Sequence, residues 1–334
     1  EASEKAVTSW KGGMSAWFVG RYRHIENVNT HLEMRPVETG PVRSAIRYRT
    51  TFGNSSLQVT VSLDKDSTAL RFTVECDWRE FGSPTDGIPA LHFLLPVPFR
   101  CPTYLYEVPF AMVERSETDM DLPSIGGVVA RTPEKKHGWM LTSKSKYGFR
   151  CHGDQMALTL IRGACDPDPT PETGHHRIEI LAGLIDAMAD NTQYLQLSAS
   201  HAHPFDVHSG TVHGGVLPLS DGLFHIEQGT VALSGVKMPQ DASVSRTQPA
   251  GSISPVSGEP IAAAGTLMMR LYETDGHDTD VSLRFSRPVA SASHADGLER
   301  ELPDSDRPKI TEDGLVVSFR AKPHQVVNLC LRMR

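Results

Sequence analysis

The stretch LQVTVSLDKDSTALRFTVECDW, from Leu57 to Trp78, decides the fold class of this chain. Apolar residues occupy every second position in two runs, Leu57–Leu63 and Leu70–Trp78, and polar residues lie between them. Alternate side chains of a strand point to opposite faces, so a period of two is typical of a half-buried strand. Each run therefore predicts one β-strand with an apolar inner face.

The same alternation, or a short apolar run bounded by turn residues, continues along the chain. Further strands are predicted at Ile46–Phe52, Gly138–Thr142, Met156–Ile161, Arg177–Leu181, Thr266–Tyr272, Val281–Phe285 and Val327–Met333. Helical periodicity is scarce, and one short helix is predicted within Ala182–Tyr194. The sequence thus predicts an all-β protein, and so many strands in 334 residues favour large sandwiches.

The composition changes at residues 239–265, PQDASVSRTQPAGSISPVSGEPIAAAG, which are rich in Ser, Pro, Ala and Gly. Such a segment buries little apolar surface, so a flexible loop is predicted. Strand patterns at Gly229–Met238 and Thr266–Glu273 are placed to pair across this loop. The domain boundary is therefore predicted near Gly222, giving domains of residues 1–221 and 222–334.

Charge and cysteine content exclude several classes of partner. The net charge is −7, and Lys and Arg are scattered, whereas nucleic-acid binding needs a basic patch. No apolar run approaches the roughly 18 residues of a membrane span, so neither nucleic acid nor membrane is an expected partner. Five widely spaced cysteines without a CxxC indicate neither a disulfide framework nor a zinc knuckle, and predict a cytoplasmic location.

Two acids flank a proline in the loop after a predicted strand. Asp166 and Asp168 would project to one side of an extended segment, as a glycosidase acid pair requires. Pro-Asp-Pro segments are also common in turns, where Asp binds nearby backbone, and this interpretation is favoured. A second acidic cluster, Glu114–Asp121, is interpreted as a solvated loop.

Histidines and aromatic residues offer other candidates. His175–His176 and His201–His203 could each supply two metal ligands, but zinc sites need three or four, and no third ligand can be nominated. No metal site is therefore assigned to this chain. Aromatic rings stack on sugars, and the candidates are Trp78, Tyr104, Tyr106, Trp139 and Tyr147. Core packing is the favoured interpretation for each.

Seven stretches carry a family resemblance through their order and spacing. They are FTVECDWRE (Phe72–Glu80), YEVPFAMVER (Tyr106–Arg115), SKYGF (Ser145–Phe149), LTLIRGACDPDPTPETGHHRIEI (Leu158–Ile180), VALSGVK (Val231–Lys237), LMMRLYE (Leu267–Glu273) and KPHQVVNLCLR (Lys322–Arg332). Together they resemble the C-terminal β region of glycoside hydrolase family 38 α-mannosidases. The sequence departs from the family pattern at Ala111, Ser143–Lys144, Phe149 and Ile178.

The resemblance implies a large galactose-mutarotase-like supersandwich followed by a smaller C-terminal β-sandwich. It also implies a parent enzyme that is a retaining, zinc-dependent α-mannosidase. In that family the catalytic carboxyls and the zinc ligands lie in an N-terminal barrel, which is followed by a helical bundle. The chain begins at Glu1 rather than Met, so the barrel and bundle are expected upstream, as partners of this portion. A mannose-containing oligosaccharide is the expected ligand, and a homo-oligomer is left open.

The resemblance assigns no catalytic residue and no metal ligand to this chain, which is expected to be inactive alone. Polar residues on loops often touch ligands, and four in the matched motifs are candidates for the substrate rim: Glu107, Arg115, Lys146 and Tyr147. Arg162 and His176 are expected to tie strands together. Three alternatives stay open: a stand-alone carbohydrate-binding module, a mutarotase-like sugar epimerase that uses His176 or His203 with Glu107, and a purely structural domain.

Overall fold

The structure is a computed structural model that describes residues 4–9, 14–19, 21–28, 32–134, 136–186, 191–211, 214, 222–239, 265–303 and 307–334. The chain forms two compact units. The first comprises Glu1–Ala189 and Gln193–Phe205, and the second comprises Asp190–Thr192 and Asp206–Arg334. The domain boundary at Gly222 stays a prediction. The predicted loop lies outside the described residues except for its two ends.

The first unit is built almost entirely from strands. They are β1 (Glu4–Ser9), β2 (Arg21–Asn27), β3 (Glu33–Thr39), β4 (Arg43–Phe52), β5 (Ser55–Asp64), β6 (Ala69–Trp78), β7 (Ile88–Pro96), β8 (Thr103–Val108), β9 (Ala111–Ser116), β10 (Leu122–Pro123), β11 (Gly127–Arg131), β12 (His137–Ser143), β13 (Gly148–His152), β14 (Gln155–Arg162) and β15 (Gly174–Asp186). Helix α1 (Thr192–Ala202) follows them. No helix in the described ranges is long and apolar enough to cross a membrane.

These strands form two antiparallel sheets that pack face to face. One has six strands in the order β10-β13-β14-β7-β1-β2, and the other has nine in the order β3-β4-β5-β6-β15-β12-β11-β8-β9. Both contribute to one buried core, in which the rings of Phe72 and Phe93 lie 4.8 Å apart, centroid to centroid. The predicted all-β class and the large sandwich are confirmed.

The stretch from Leu57 to Trp78 supplies two neighbouring strands of the nine-stranded sheet. Leu57 on β5 lies opposite Cys76 on β6, and both side chains are buried in the core. The polar residues between the apolar ones form the outer face of the sheet, as the alternation predicts. Leu63 and Leu70, near the turn between the strands, are exposed to solvent.

The predicted helix at Ala182–Tyr194 is wrong over its first part, because β15 continues to Asp186. β15 lies between β6 and β12 and pairs with both, so this segment has partners on both edges. Gly183 meets Ala69 so closely that a Cβ on Gly183 would lie 2.4 Å from the Cα of Ala69. Pairing with distant strands therefore overrides a weak local helical pattern, and α1 begins only at Thr192.

Strand β3 forms one edge of the nine-stranded sheet. All seven of its residues are exposed. The register with β4 shifts between Pro36 and Glu38, where an extra residue makes a bulge. This edge is thus irregular and charged.

The second unit is a smaller sandwich. Its strands are β16 (Phe224–Gln228), β17 (Val231–Lys237), β18 (Thr266–Glu273), β19 (Thr279–Phe285), β20 (Val289–Ala295), β21 (Lys309–Thr311), β22 (Val316–Ala321) and β23 (Val326–Met333). They form two four-stranded sheets, β16-β19-β22-β21 and β17-β18-β23-β20. Leu283 of the first sheet and Leu329 of the second lie in one core. The predicted pairing across the loop is confirmed, since β17 pairs with β18.

One buried carboxylate organises two turns of this unit. The side chain of Glu273 is fully buried. Its oxygens accept hydrogen bonds from the backbone N–H groups of Asp275 and Gly276 at 2.8 Å, and of His324 at 2.9 Å. The hydroxyl of Thr230 donates a fourth bond at 2.8 Å. Burial raises the pKa of Glu273, but these bonds together outweigh it and hold the pKa below its ordinary value.

Candidate functional site

Three of the four rim candidates meet at residues 123–126, hereafter the 123–126 segment. The hydroxyl of Ser124 donates to the carbonyl oxygen of Glu107 at 2.8 Å, and its N–H donates to the carbonyl oxygen of Tyr147 at 2.9 Å. Arg115 donates from Nη1 to the carbonyl oxygen of Pro123 at 2.8 Å. Through Ser124, the segment therefore holds the end of β8 next to the loop that precedes β13.

Tyr147 presents its ring at this place. Its side chain is 55 % exposed. Two apolar residues of neighbouring loops are also exposed, Ile125 to 48 % and Phe110 to 39 %. Ile125 is held by a backbone bond to Glu107, close to the β8–β9 turn that carries Phe110. An exposed aromatic ring on a fixed backbone can stack on the apolar face of a sugar with little loss of conformational freedom. This cluster is the candidate functional site.

Glu107 faces inward beneath the segment. Its Oε2 accepts hydrogen bonds from the hydroxyls of Tyr194 at 2.7 Å and Ser198 at 3.0 Å, both on α1. A Cβ on Gly126 would collide with this carboxylate, so the segment closes over it. Burial raises the pKa of Glu107, and the two hydroxyl bonds lower it by less. The carboxylate thus anchors α1 and packs against Gly126, while the backbone carbonyl of Glu107 makes the hydrogen bonds to the 123–126 segment.

Arg115 lies beside the same segment on β9. Its guanidinium carbon lies 4.7 Å from the centroid of the buried ring of Tyr106, a cation–π contact. Because its Nη1 also binds the segment, Arg115 links the β8–β9 hairpin to the loop that precedes β11. Its position suits a residue that holds the site in shape.

Lys146 and His176 share one acidic neighbour, Glu172. Burial lowers the pKa of Lys146, and the nearby charge of Glu172 opposes that shift. His176, at the start of β15, donates from Nε2 to the carbonyl oxygen of Glu172 at 2.6 Å, and its Nδ1 lies 3.8 Å from the Glu172 carboxylate. His176 and Glu107 are thus engaged by different partners, and no epimerase-like pair forms between them.

Arg162 ties the end of β14 to residues 14–19. Its Nη2 donates to the carbonyl oxygens of Ser15 at 2.9 Å and Phe18 at 3.1 Å. The acids of the following loop also bind backbone: Asp166 accepts a bond from the N–H of Met14, and Asp168 accepts one from the N–H of Thr170 at 3.0 Å. Asp168 thus supports a local turn, as interpreted, whereas the carboxylate of Asp166 ties the loop to the distant residue Met14.

The aromatic candidates divide clearly. Trp78, Tyr104 and Tyr106 are buried in the core, which confirms their packing role. Trp139 packs against the same core and is half-buried, so only Tyr147 presents a largely exposed ring. Within the described ranges, no group of three His, Cys, Asp or Glu side chains lies close enough to hold a metal ion.

A polar cluster that the sequence motifs do not indicate lies on the outer face of the six-stranded sheet. Tyr22 donates to Asp121 at 2.7 Å and lies 3.4 Å from Nε2 of His92, and Thr159 donates to the second oxygen of Asp121 at 2.5 Å. Arg150 lies over the ring of Tyr22. Burial lowers the pKa of His92 to about 4, so its ring is neutral near pH 7. The position of His92 between buried Leu and Phe neighbours on a strand was the available signal.

The prediction of a solvated acidic loop is wrong for two of its residues. Asp121 is held in the polar cluster just described. Glu117 accepts hydrogen bonds from the N–H of Gly153 at 2.8 Å and from Arg100 at 2.9 Å. Asp121 thus binds residues of β2 and β14, and Glu117 binds the turn between β13 and β14, which local acidity alone does not indicate.

Known proteins resemble this chain in both sequence and fold. Residues 8–170 match the glycosyl hydrolases family 38 C-terminal domain. Alpha-mannosidase 2C1 of Homo sapiens is 26 % identical over 295 residues, covering 83 % of this chain and 24 % of that protein, and the Mus musculus protein is 25 % identical over 294 residues with the same coverage. The chain therefore spans about a quarter of the length of these relatives.

Solved structures show the same architecture. An alpha-mannosidase from Enterococcus faecalis V583 superposes with a TM-score of 0.72 at 13 % identity, covering 99 % of this chain and 38 % of that one. A second Enterococcus faecalis protein, of glycosyl hydrolase family 38, gives 0.73 at 13 % identity, covering 99 % and 40 %. Residues 8–170 thus match the C-terminal domain of family 38 glycosyl hydrolases in sequence, and the resemblance seen in the motifs is confirmed.

Proposed function

We propose that this chain is the non-catalytic C-terminal β portion of a larger α-mannosidase that hydrolyses terminal α-mannosides with retention and depends on zinc. The observation that carries the proposal is the family 38 match at residues 8–170, together with similarity to alpha-mannosidases over 83 % of the chain. A cytoplasmic location belongs to the same proposal and is supported by five free cysteines.

A retaining glycosidase needs a nucleophile and an acid/base carboxyl about 5 Å apart. Two acids that the sequence offered for this role, Asp166 and Asp168, bind backbone N–H groups instead, Asp166 that of the distant Met14 and Asp168 that of nearby Thr170. The described residues also do not fit a zinc site. The catalytic carboxyls and the zinc are therefore proposed to lie in the N-terminal barrel, and no step of hydrolysis is assigned to this chain.

Within this enzyme the proposed role of the chain is to support the barrel and to contribute Tyr147 to the substrate rim. The exposed ring of Tyr147 would stack on a mannose unit, while Glu107 and Arg115 act as positioning residues through the 123–126 segment. Lys146, withdrawn beside Glu172, would orient the loop rather than the sugar.

The test is to express the longer product encoded upstream and to assay an aryl α-mannoside with and without a zinc chelator. We expect chelator-sensitive hydrolysis by the long form and none by the 334-residue chain. Tyr147→Ala in the long form should raise KM about fivefold with kcat nearly unchanged, because stacking binds ground state and transition state alike. Tyr147→Phe keeps the ring and should restore KM.

Phe81→Ala is the matched control, because Phe81 is a similarly exposed aromatic, 57 % exposed, on the connection between β6 and β7. It should leave KM unchanged. Turnover by the 334-residue chain that one carboxylate substitution abolishes would contradict the non-catalytic role. An unchanged KM in Tyr147→Ala would remove Tyr147 from the rim.

A further inference from the structure

The outer face of the nine-stranded sheet carries a cross-strand row of polar residues. Glu33, Arg49, Gln58, Glu75 and Arg177 lie opposite one another in register on β3, β4, β5, β6 and β15. Residues in register share one face of a sheet. With strands about 4.8 Å apart, this polar row spans roughly 19 Å.

Hydrogen bonds within the polar row fix the side chains of Arg49, Gln58 and Glu75. Arg49 donates from Nε to Gln58 at 2.7 Å, and Gln58 donates from Nε2 to Glu75 at 2.5 Å. Arg177 lies 3.5 Å from the other oxygen of Glu75. The two terminal nitrogens of Arg49 donate to no other residue that the structure describes, so its guanidinium is oriented and still has donors to offer.

The polar row, except for Arg177, lines an open cleft of about 520 Å³. This volume lies in the usual range of small-molecule sites. Its polar lining includes Glu33, Arg49, Gln58 and Glu75 from the row, and Asp77 and His175 from the next register position. The cleft therefore offers carboxylate acceptors next to guanidinium and amide donors, arranged in a line across the strands.

This chemistry selects the class of ligand. A sugar hydroxyl both donates and accepts, so adjacent hydroxyls can bind a carboxylate and a guanidinium side by side. Arg49 lines the cleft, Arg79 lies 3.0 Å from Asp77, and Arg177 lies 3.5 Å from Glu75, so the three carboxylates of the cleft are balanced by three guanidiniums. No excess of positive charge is therefore available to hold a phosphorylated or sulfated ligand. An apolar ligand would leave these groups without partners.

We propose that this cleft binds a neutral oligosaccharide and is a second glycan site of the chain, besides the Tyr147 rim. Arg49 and Gln58 donate to the sugar hydroxyls, and Glu33, Glu75 and Asp77 accept from them. The choice of α-linked mannose rests on the proposed function, whereas the preference for a neutral polyhydroxylated ligand rests on the cleft alone.

The test is a titration of the 334-residue chain with α-mannotriose, monitored by amide chemical shifts and by calorimetry. Cellotriose is the neutral comparison, and mannose 6-phosphate is the anionic one. Arg49→Ala should weaken binding at least tenfold. Arg49→Lys keeps the charge but loses the planar fork, so it should give an intermediate loss.

Arg47→Ala is the matched control, because Arg47 lies on the same strand and face and binds Thr60 at 3.1 Å, one register position away. It should change the affinity less than twofold. Three results would each overturn the site: failure of both neutral trisaccharides to bind, tighter binding of mannose 6-phosphate than of the trisaccharides, or full affinity in Arg49→Ala.

Equal binding of cellotriose would support the neutral-glycan site and contradict the choice of mannose. The hydrolysis assay on the long form judges the proposed function separately, because it does not depend on Arg49. Loss of cleft binding with intact chelator-sensitive hydrolysis would overturn only this inference.

Discussion

Glu107 and Glu273 are carboxylates withdrawn from water, one in each unit, and their pKa values shift in opposite directions. For Glu107 burial outweighs two hydroxyl bonds, and the pKa rises. For Glu273 three backbone N–H bonds and one hydroxyl bond outweigh burial, and the pKa falls. Burial alone therefore does not set the direction of the shift; the number and kind of donors decide it.

The kind of donor also matters for rigidity. The amides that bind Glu273 belong to turns and cannot rotate away, whereas the hydroxyls of Tyr194 and Ser198 can turn to another acceptor. Ser198 has such an acceptor nearby, since its oxygen lies 3.2 Å from the hydroxyl of Thr142. Glu273 is thus the stricter structural element of the two.

The largest expected effect is on the second unit. Glu273→Ala leaves three amides and one hydroxyl without their acceptor, and a buried unsatisfied group costs about 1–3 kcal/mol. We expect the free energy of unfolding of this unit to fall by about 3 kcal/mol or more. All four tryptophans, at positions 10, 17, 78 and 139, precede this unit, so circular dichroism should report the loss and tryptophan fluorescence should not.

Glu273→Gln is the milder companion, because it keeps one oxygen acceptor. It should cost less than Glu273→Ala. If the fluorescence transition moved as far as the dichroism transition, the effect would not be confined to the second unit. The role of Glu273 as a stabilising element of that unit alone would then be contradicted.

A smaller loss is expected in the first unit. Glu107→Ala removes the acceptor of Tyr194 and Ser198, but their hydroxyls can reorient, so we expect a cost of about 1–2 kcal/mol, measured by fluorescence during denaturation. Tyr147→Ala, a surface change in the same region, should stay within about 0.5 kcal/mol of the wild type. A cost for Glu107→Ala as large as that of Glu273→Ala would contradict the distinction between hydroxyl and amide donors.

The smallest effect concerns pH and is the most direct check of the two directions. Because the folded pKa of Glu107 is raised, wild-type stability falls as pH rises from the unfolded pKa through the folded one. Because the folded pKa of Glu273 is lowered, its contribution is present above the unfolded pKa and is lost as pH falls through the folded one. We therefore expect denaturation between pH 3 and 8 to show two opposite trends. As pH rises, the free energy of unfolding of Glu107→Gln should increase relative to the wild type, and that of Glu273→Gln should decrease relative to the wild type. If both stability differences changed with pH in the same direction, the opposite pKa shifts of Glu107 and Glu273 would be contradicted.

The fold was largely predictable because alternation is a local property. The stretch from Leu57 to Trp78 has period two, and it forms two adjacent strands with the expected inner face. The end of β15 was not predictable, because Gly183 is required by its contact with Ala69, more than a hundred residues earlier. A weak helical pattern carries no information about such a partner.

The candidate site was predictable in its members but not in its arrangement. The motifs named Glu107, Arg115 and Tyr147, yet their meeting at the 123–126 segment depends on bonds between separate loops. The inward turn of Glu107 depends on α1, which the sequence placed too early. Register across distant strands likewise hid the polar row from a linear reading of the chain.

The irregular edge strand β3 has a consequence for self-association. A straight edge offers unpaired backbone groups on which a second molecule can add a strand, the first step toward fibrils. Pro36 has no N–H to donate, the bulge at Val37 breaks the spacing of the remaining groups, and every side chain of β3 is exposed. Strand addition by a second copy is therefore disfavoured at that edge, and concentrated solutions of this protein are not expected to grow polymers through it.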